Sequence, residues 1–492
     1  MFLKVSKPFT MSQFRRLFKH SAIYAIGTVA QSAVAFLLIP VYTRYLSTAN
    51  YGRLEIINTF GSILLMLITF GFGSAIMKTY FRDAKSEKER KELVGTMFLF
   101  VMPIAFAVVA LLIFFSPQIS AWLLGSREWA YLFRLLFISL FFMAFMNLAF
   151  ALLRVKERSV KYTVLFLIRF FVVLGLNFYF IIWLKLDVKG ILLANVIAFV
   201  IVSISLFPDV FKESKFKFSK IFFKKLWAFG LPIIPASIAV WVMDLSDRYF
   251  LEIFRTSEEV GIYSLGYKIG MIVDIVLVAP FQLTWPTFYF DISKKENASE
   301  IYARVLTYFT LAGTFFALIL GMLAPEVIRL IAGQAFWDAS KVVMLVAISY
   351  VFYGMHYVLA PGIHIKEKTK YYPLLVVIPA IINIILNYFI VPRYGMMGAA
   401  ATTVASFILV IVITYLVANH YYPVKYDWKR IWGVWILGAA VFAASLFVKV
   451  DNLWLSMALK ILILGLYAAL LFAFGYLRKN ELLKIKSMFR RK

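Results

Sequence analysis

Hydrophobic residues run along this chain in blocks of about 20, the length a helix needs to cross ~30 Å of hydrocarbon. Polar residues gather in the short stretches between the blocks. Fourteen blocks can be marked, at about 19–43, 52–77, 93–116, 130–153, 161–184, 189–211, 226–250, 261–290, 302–324, 341–364, 371–391, 396–419, 428–448 and 453–476. The pattern predicts an all-α membrane protein of fourteen transmembrane helices. The first block does not read as a cleavable leader, because it is too long and runs into Pro40-Val-Tyr-Thr-Arg44 rather than a small-residue cleavage site.

Composition closes off the soluble alternatives. The 492 residues are 63% hydrophobic and 16% charged, against about 45–50% and about 25% in soluble domains. A soluble enzyme, a disordered chain and a coiled coil are all excluded. There is no cysteine, hence no disulfide framework and no thiolate metal site. Lysine and arginine number 52 against 25 acids, for a net charge of +27, and the placement of that excess decides its meaning. It falls in alternate loops: the N-terminal tail, 78–91, 154–161, 212–225, 294–304, 366–370, 425–430 and the C-terminal tail. The intervening loops carry scattered cations such as Arg44, Arg127, Lys185 and Arg393. Cytoplasmic loops hold the Lys/Arg excess, so both termini are expected on the cytoplasmic side of the inner (plasma) membrane. The charge is a topology signal, with membrane lipids rather than nucleic acid as its partner.

The inward stretch 212–225, Lys mixed with Phe, reads as a basic amphipathic segment on the membrane face. The chain repeats itself across this linker. Val155-Lys-Glu-Arg-Ser-Val-Lys-Tyr162 matches Ile365-Lys-Glu-Lys-Thr-Lys-Tyr-Tyr372 at an offset of 210, as do Ile138-Ser139 with Ile348-Ser349, Phe142 with Phe352 and Asn177 with Asn387. Thr48-Ala-Asn-Tyr-Gly52 matches Ser257-Glu-Glu-Val-Gly261 at 209. The expected organisation is two pseudo-symmetric six-helix lobes plus a C-terminal helix pair: 1–211, the linker 212–225, 226–420, and 421–492 with helices 13 and 14 and a basic tail. Six is even, so the repeats are parallel, the arrangement of transporters that rock two halves about a central site.

Charges inside the spans need partners or a wet cavity, since each costs about 2.5–3.5 kcal/mol at the bilayer centre. Arg169 is deep in the fifth block, and Arg134 lies in the outer part of the fourth. Asp244, Asp247 and Arg248 are in the seventh, Lys268 and Asp274 in the eighth, and Glu55, His356 and Lys460 in the second, tenth and fourteenth. Asp244 and Arg248, four apart, can neutralise each other. Arg134 and Glu55 are close enough to the surface for head groups, Lys460 can snorkel, and His356 suits a hydrogen-bonded packing role. Arg169 and Lys268 resist such readings and suit an anionic, phosphate-bearing substrate. The substrate-binding candidates are Arg169, Lys268, Arg248 and Arg134. Asp274, Asp244 and Asp247 are candidates for a coupling Na+ or H+.

Leu231-Pro-Ile-Ile-Pro235, Ala279-Pro280 and Trp285-Pro286 interrupt helices and can serve as hinges. Gly266-Tyr-Lys-Ile-Gly270 reads as a close helix contact. There is no nucleophile elbow, nucleotide-binding glycine loop or metal-spaced histidine set, so the chain does not read as an enzyme and no cofactor is expected beyond a coupling ion.

Several stretches carry a family resemblance: Ile39-Pro-Val-Tyr-Thr-Arg-Tyr-Leu-Ser47 with Tyr51-Gly52, then Leu231-Pro-Ile-Ile-Pro235. Ser246-Asp-Arg-Tyr-Phe-Leu251 with Gly261-Ile-Tyr-Ser264 and Pro392-Arg-Tyr-Gly-Met-Met-Gly-Ala-Ala400 follow in the same order. In these the chain resembles the oligosaccharide flippases of the polysaccharide transporter family, in the superfamily of lipid II flippases and multidrug and toxin extrusion transporters. The resemblance implies a flippase that moves a polyprenyl-diphosphate-linked oligosaccharide from the cytoplasmic to the outer leaflet by alternating access, for cell-surface polysaccharide biosynthesis alongside other polysaccharide-assembly proteins. It implies a positive cavity, which Arg169 and Lys268 can supply. The alternatives within the superfamily are an ion-coupled drug/cation antiporter and a lipid II flippase. The first block has no charge between His20 and Arg44, unlike the arginine-rich first helix of lipid II flippases.

Overall fold

The computed structural model describes residues 36–448 and 450–477. The expected first span lies outside these residues up to position 35, as do the basic N-terminal tail, most of the C-terminal tail and Lys449. The described residues are helical, with no strand among them, and eleven helices are long and apolar enough to cross a membrane. The protein is a multi-pass membrane protein. Its chain divides into two compact units, Met1–Ile238 and Ala239–Lys492.

The hydrophobic blocks and the helices agree in place but differ in continuity. The second block is Thr48–Thr69 followed by Phe72–Arg82, broken where Phe70 and Gly71 both take left-handed φ, 51° and 65°. The seventh is three helices, Lys220–Gly230, Ile233–Leu245 and Asp247–Phe254. In the eighth, a π-helical turn at Asp274–Val278 separates Ser257–Gly270 from Ala279–Ile292. Pro280 stands two residues after this turn. The eleventh and twelfth blocks form one helical run, Tyr372–Tyr421, interrupted at Gly395 with φ 51° and ψ −136°. Only glycine suits that site, because a Cβ there would stand 2.0 Å from Glu259 Oε1. The next main-chain amide, of Met396, donates to the same oxygen at 2.6 Å.

The linker is half of what its composition suggested. Lys220–Gly230 is an amphipathic helix that buries Phe222, Leu226 and Gly230, four residues apart on one face. The preceding 214–219 is extended and docks on the helix Glu87–Phe114, through Lys215 N to Lys91 O at 2.9 Å and Ser219 N to Thr96 Oγ1 at 2.9 Å.

Matched positions of the repeat adopt matched geometry. Glu157 and Glu367 are both non-glycine residues at left-handed φ, 53° and 54°. The amides that follow close the same turn, Arg158 N to Leu153 O at 2.9 Å and Lys368 N to Ile363 O at 2.8 Å. Ser47 caps Thr48–Thr69 by accepting from Asn50 N, and Thr256 caps Ser257–Gly270 by accepting from Glu259 N.

In lipid, packing depends on small residues and polar contacts, because the tails are as apolar as leucine. In the second unit, a Cβ on Gly266 would meet Ala339 O at 2.3 Å and one on Gly270 would meet Val346 Cβ at 2.6 Å, the close contact expected of the GxxxG. Lys460 does not snorkel. It is 6% exposed and donates to Glu326 Oε1 at 2.6 Å, joining Leu453–Ala473 to Ala298–Ile331, with Ser456 on the same oxygen. Glu55 is buried rather than at a head-group position.

One end of the first unit is laced by ion pairs. Lys156 meets Glu87 at 2.9 Å and Glu213 at 2.6 Å, Arg158 meets Asp209 at 2.8 Å and Glu213 at 2.6 Å, and Lys161 meets Asp209. Partial burial opposes the charge on Lys156, but its bonds to Glu213, Glu87 and Tyr80 outweigh that and raise its pKa above the usual lysine value. A raised lysine pKa contributes stability that is whole below the unfolded value of about 10.4 and is lost as pH rises through the folded value. Lys156→Met is therefore expected to cost about 1–2 kcal/mol, with the same deficit at every pH from about 6 to about 9. Chemical denaturation of both proteins in detergent, across that range, checks it.

Candidate functional site

The largest cluster of embedded polar groups lies in the second unit, where the break after Leu245 turns successive side chains inward. Asp247 and Arg248 are 1% and 3% exposed. Arg248 Nη1 donates to Asp247 Oδ1 at 3.1 Å and to the Asp244 carbonyl at 2.9 Å, and its guanidinium carbon lies 4.5 Å from the centre of the Tyr267 ring. The Tyr263 hydroxyl donates to Asp247 Oδ2, and Thr403 Oγ1 reaches the same oxygen at 3.5 Å. Tyr267 donates to Asp244 Oδ1 at 3.4 Å and accepts from Tyr350 at 3.2 Å. The short helix Asp247–Phe254 is thereby tied to Ser257–Gly270 and to Tyr372–Tyr421, while Tyr350 brings in Ser340–Leu359.

A neutral network adjoins it. Ser246 donates to Asn383 Oδ1 at 3.4 Å, and Asn387 Nδ2 donates to the same oxygen at 3.0 Å. Asn383 Nδ2 donates to Ser406 at 3.0 Å, and Thr402 donates to Asn387 Oδ1 at 2.5 Å. Asn177, the repeat partner of Asn387, is also fully buried and accepts from the Tyr42 hydroxyl at 2.9 Å. Among these residues only the two acids and Arg248 stand out in the sequence by charge. The tyrosines, asparagines and threonines carry no such mark, although Asn387 was flagged by the repeat.

Asp244, Asp247 and Arg248 are brought together, and the expected pairing shifts by one turn: Arg248 holds the Asp247 carboxylate and only the main chain of Asp244. Buried in this way, Arg248 links the Asp247 carboxylate to the main chain of the preceding helix. Arg134 is exposed in the first unit, where its Nε donates to Ser116 Oγ at 2.9 Å. Arg169, on Ser159–Asn177, lays its guanidinium over Phe199 at 4.4 Å, and its Nε is buried without a hydrogen-bond partner among the described residues. Lys268 is half-buried on Ser257–Gly270. Asp274 is half-buried at the head of the π-helical turn, and no described hydrogen bond or ion pair engages its carboxylate. It lies within electrostatic reach of Asp244. His356 is a packing residue: its Nδ1–H donates to Thr414 Oγ1 at 2.6 Å, since the threonine proton is committed to Val410 O.

Architecture and sequence converge on one class, the membrane proteins with the fold of lipid flippases and multidrug transporters. The chain is similar in structure to the lipid II flippase MurJ in an inward closed conformation, with a TM-score of 0.74 at 15% identity over 92% of this chain and 99% of that one. A multidrug resistance transporter of the MATE family in an inward-facing conformation matches with a TM-score of 0.63 at 14% identity, over 79% and 94%. Residues 17–289 match the family described as polysaccharide biosynthesis protein, and the chain belongs to that family. Among curated relatives, Lsg locus putative protein 1 of Haemophilus influenzae is 23% identical over 68% of this chain and 81% of its own length. The probable low-salt glycan biosynthesis flippase Agl15 of Haloferax volcanii is 20% identical over 86% and 87%.

Removing one member of a buried ion pair strands the other, at a cost of about 3–5 kcal/mol. Asp247→Asn is accordingly expected to lower stability in detergent far more than the pair Asp247→Asn/Arg248→Gln. A double-mutant cycle on unfolding midpoints checks this, and additive losses would mean the two side chains are not coupled.

Proposed function

We propose that the protein flips a polyprenyl-diphosphate-linked oligosaccharide from the cytoplasmic to the outer leaflet by alternating access, with both termini cytoplasmic, fourteen spans and the lobe boundaries at 1–211 and 226–420. The observation that carries the reading is the coincidence, in one chain, of membership in the polysaccharide biosynthesis family with the fold of a lipid flippase along 92% of its length. A lipid II substrate is disfavoured by the uncharged stretch 21–43. An antiporter for cationic drugs is disfavoured by the embedded cations, of which Arg169 holds a buried donor in need of an acceptor. We assign Arg169 and Lys268 to the diphosphate.

Among the three acids, Asp274 suits a coupling proton or sodium ion best. Asp247 has both oxygens engaged and Asp244 accepts from Tyr267, whereas the Asp274 carboxylate sits unengaged at a π-helical turn, a distortion frequent at functional sites.

The test is reconstitution in liposomes with lipid-linked glycans, scoring their exposure to an external glycan-modifying probe with and without proton or sodium gradients. Glycan exposure is expected. Arg169→Ala should cut it about tenfold or more, from loss of one charge-assisted contact, with unchanged membrane abundance. Asp274→Asn should abolish the response to the gradient. Movement of small cationic drugs but no glycan would replace this reading with the antiporter, and equal loss of abundance and activity in Arg169→Ala would return that residue to a structural role.

A further inference from the structure

An apolar groove of about 720 Å³ opens in the first unit among the helices Glu87–Phe114, Ala130–Val155 and Asp187–Glu213. That volume falls within the ~300–1,000 Å³ of small-molecule sites. Pro103 and Pro208 both line it, each inside its helix. A proline bends its helix and frees the carbonyl four residues back, here those of Leu99 and Ile204 in the groove wall.

Phenylalanine rings form a ladder along this groove. Phe98 and Phe145 are 5.5 Å apart between ring centres, Phe145 and Phe207 6.5 Å at 24°, Phe207 and Phe211 6.3 Å at 25°, and Phe211 and Phe216 5.6 Å. The last rung belongs to the extended linker, seated so closely that a Cβ on Gly95 would lie 1.8 Å from Lys215 O. The ladder therefore ends among exposed lysines, Lys212, Lys215, Lys217 and Lys220. Of the acids nearby, Asp209 and Glu213 hold Lys156, Arg158 and Lys161, and Glu92 shares Lys215 at 3.7 Å.

We propose that this groove binds a polyprenyl phosphate, its methyl-branched unsaturated chain against the phenyl ladder and its phosphate among the linker lysines. The proposal rests on the transport reading above, which supplies a substrate with such a chain, and concerns its docking before translocation, the stage to which Arg169 and Lys268 are assigned. A straight saturated acyl chain gains nothing by leaving a bilayer as apolar as the groove, so occupancy selects by shape and head group. Methyl branches can seat between successive rings of the ladder, and lysines hold phosphate as point charges.

The full-length protein in phosphatidylcholine nanodiscs is labelled with a photoreactive polyprenyl monophosphate, and the labelled peptides are mapped. Labelling is expected in segments 98–103 and 203–216. Unlabelled polyprenyl phosphate should compete at least about tenfold better than phosphatidylglycerol, a difference of about 1.4 kcal/mol. Ile204→Trp, at a position 66% exposed and thus free of core packing, should fill the groove and lower labelling by a similar factor, with Leu99→Trp as a second filling variant. Lys212→Gln/Lys215→Gln/Lys217→Gln should weaken the phosphate probe but not a neutral polyprenol probe. Equal competition by phosphatidylglycerol, labelling elsewhere, or indifference to both filling variants overturns the proposal. Loss of glycan flipping with groove labelling intact strikes the transport reading alone, and absent labelling with flipping intact strikes the groove alone.

Discussion

The membrane-spanning part of this protein is shaped by the lack of water in a bilayer core, which leaves each embedded donor and acceptor to find its partner inside the chain. The Asp247–Arg248 pair is the strongest expression of that constraint. Adjacent in sequence and almost wholly buried, the two side chains draw in Tyr263, Tyr267, Asp244 and Thr403, so that four helices converge on one charge pair. Apolar packing gives little orientation between helices in lipid. Directional bonds of this kind, together with glycine contacts such as Gly266 on Ala339, supply it.

The same constraint accounts for where helices break. A broken helix frees main-chain groups, and several breaks here have an internal remedy. At Gly395 the Glu259 carboxylate accepts the amide of Met396. At Asp274–Val278 a π-helical turn absorbs the irregularity before Pro280. At Glu157 and at Glu367 the following amide closes back onto the preceding turn. The last two sites are equivalent in the repeat and share a left-handed backbone at the helix ending.

Much of the architecture was legible because about 20 apolar residues in a row have few alternatives to a membrane helix. Helix positions from Ala130–Val155 to Leu453–Ala473 fall where hydropathy places them. The interruptions were less legible. Phe70 adopts a left-handed φ that nothing in its identity announces, and the break after Leu245 has no proline or glycine. Charged members of the buried cluster were visible by their cost in lipid, but their uncharged partners Tyr263, Tyr350, Asn383 and Thr403 looked like ordinary membrane residues. Lys460 was misread because its partner Glu326 is 134 residues away, and no local spacing rule spans that distance.

The embedded charges differ in the bonds they make. Arg248 and Lys460 are held by Asp247 and Glu326, and Asp244 by Tyr267; these groups fix helices to one another. Arg169 and Asp274 make fewer such bonds: among the described residues no hydrogen bond reaches the Arg169 Nε, and none is described for the Asp274 carboxylate. An uncommitted ionic group in a membrane helix costs more than a paired one. Its persistence makes sense where a ligand supplies the missing partner for part of a working cycle. In the function proposed above, those partners are the glycolipid diphosphate for Arg169 and the coupling ion for Asp274.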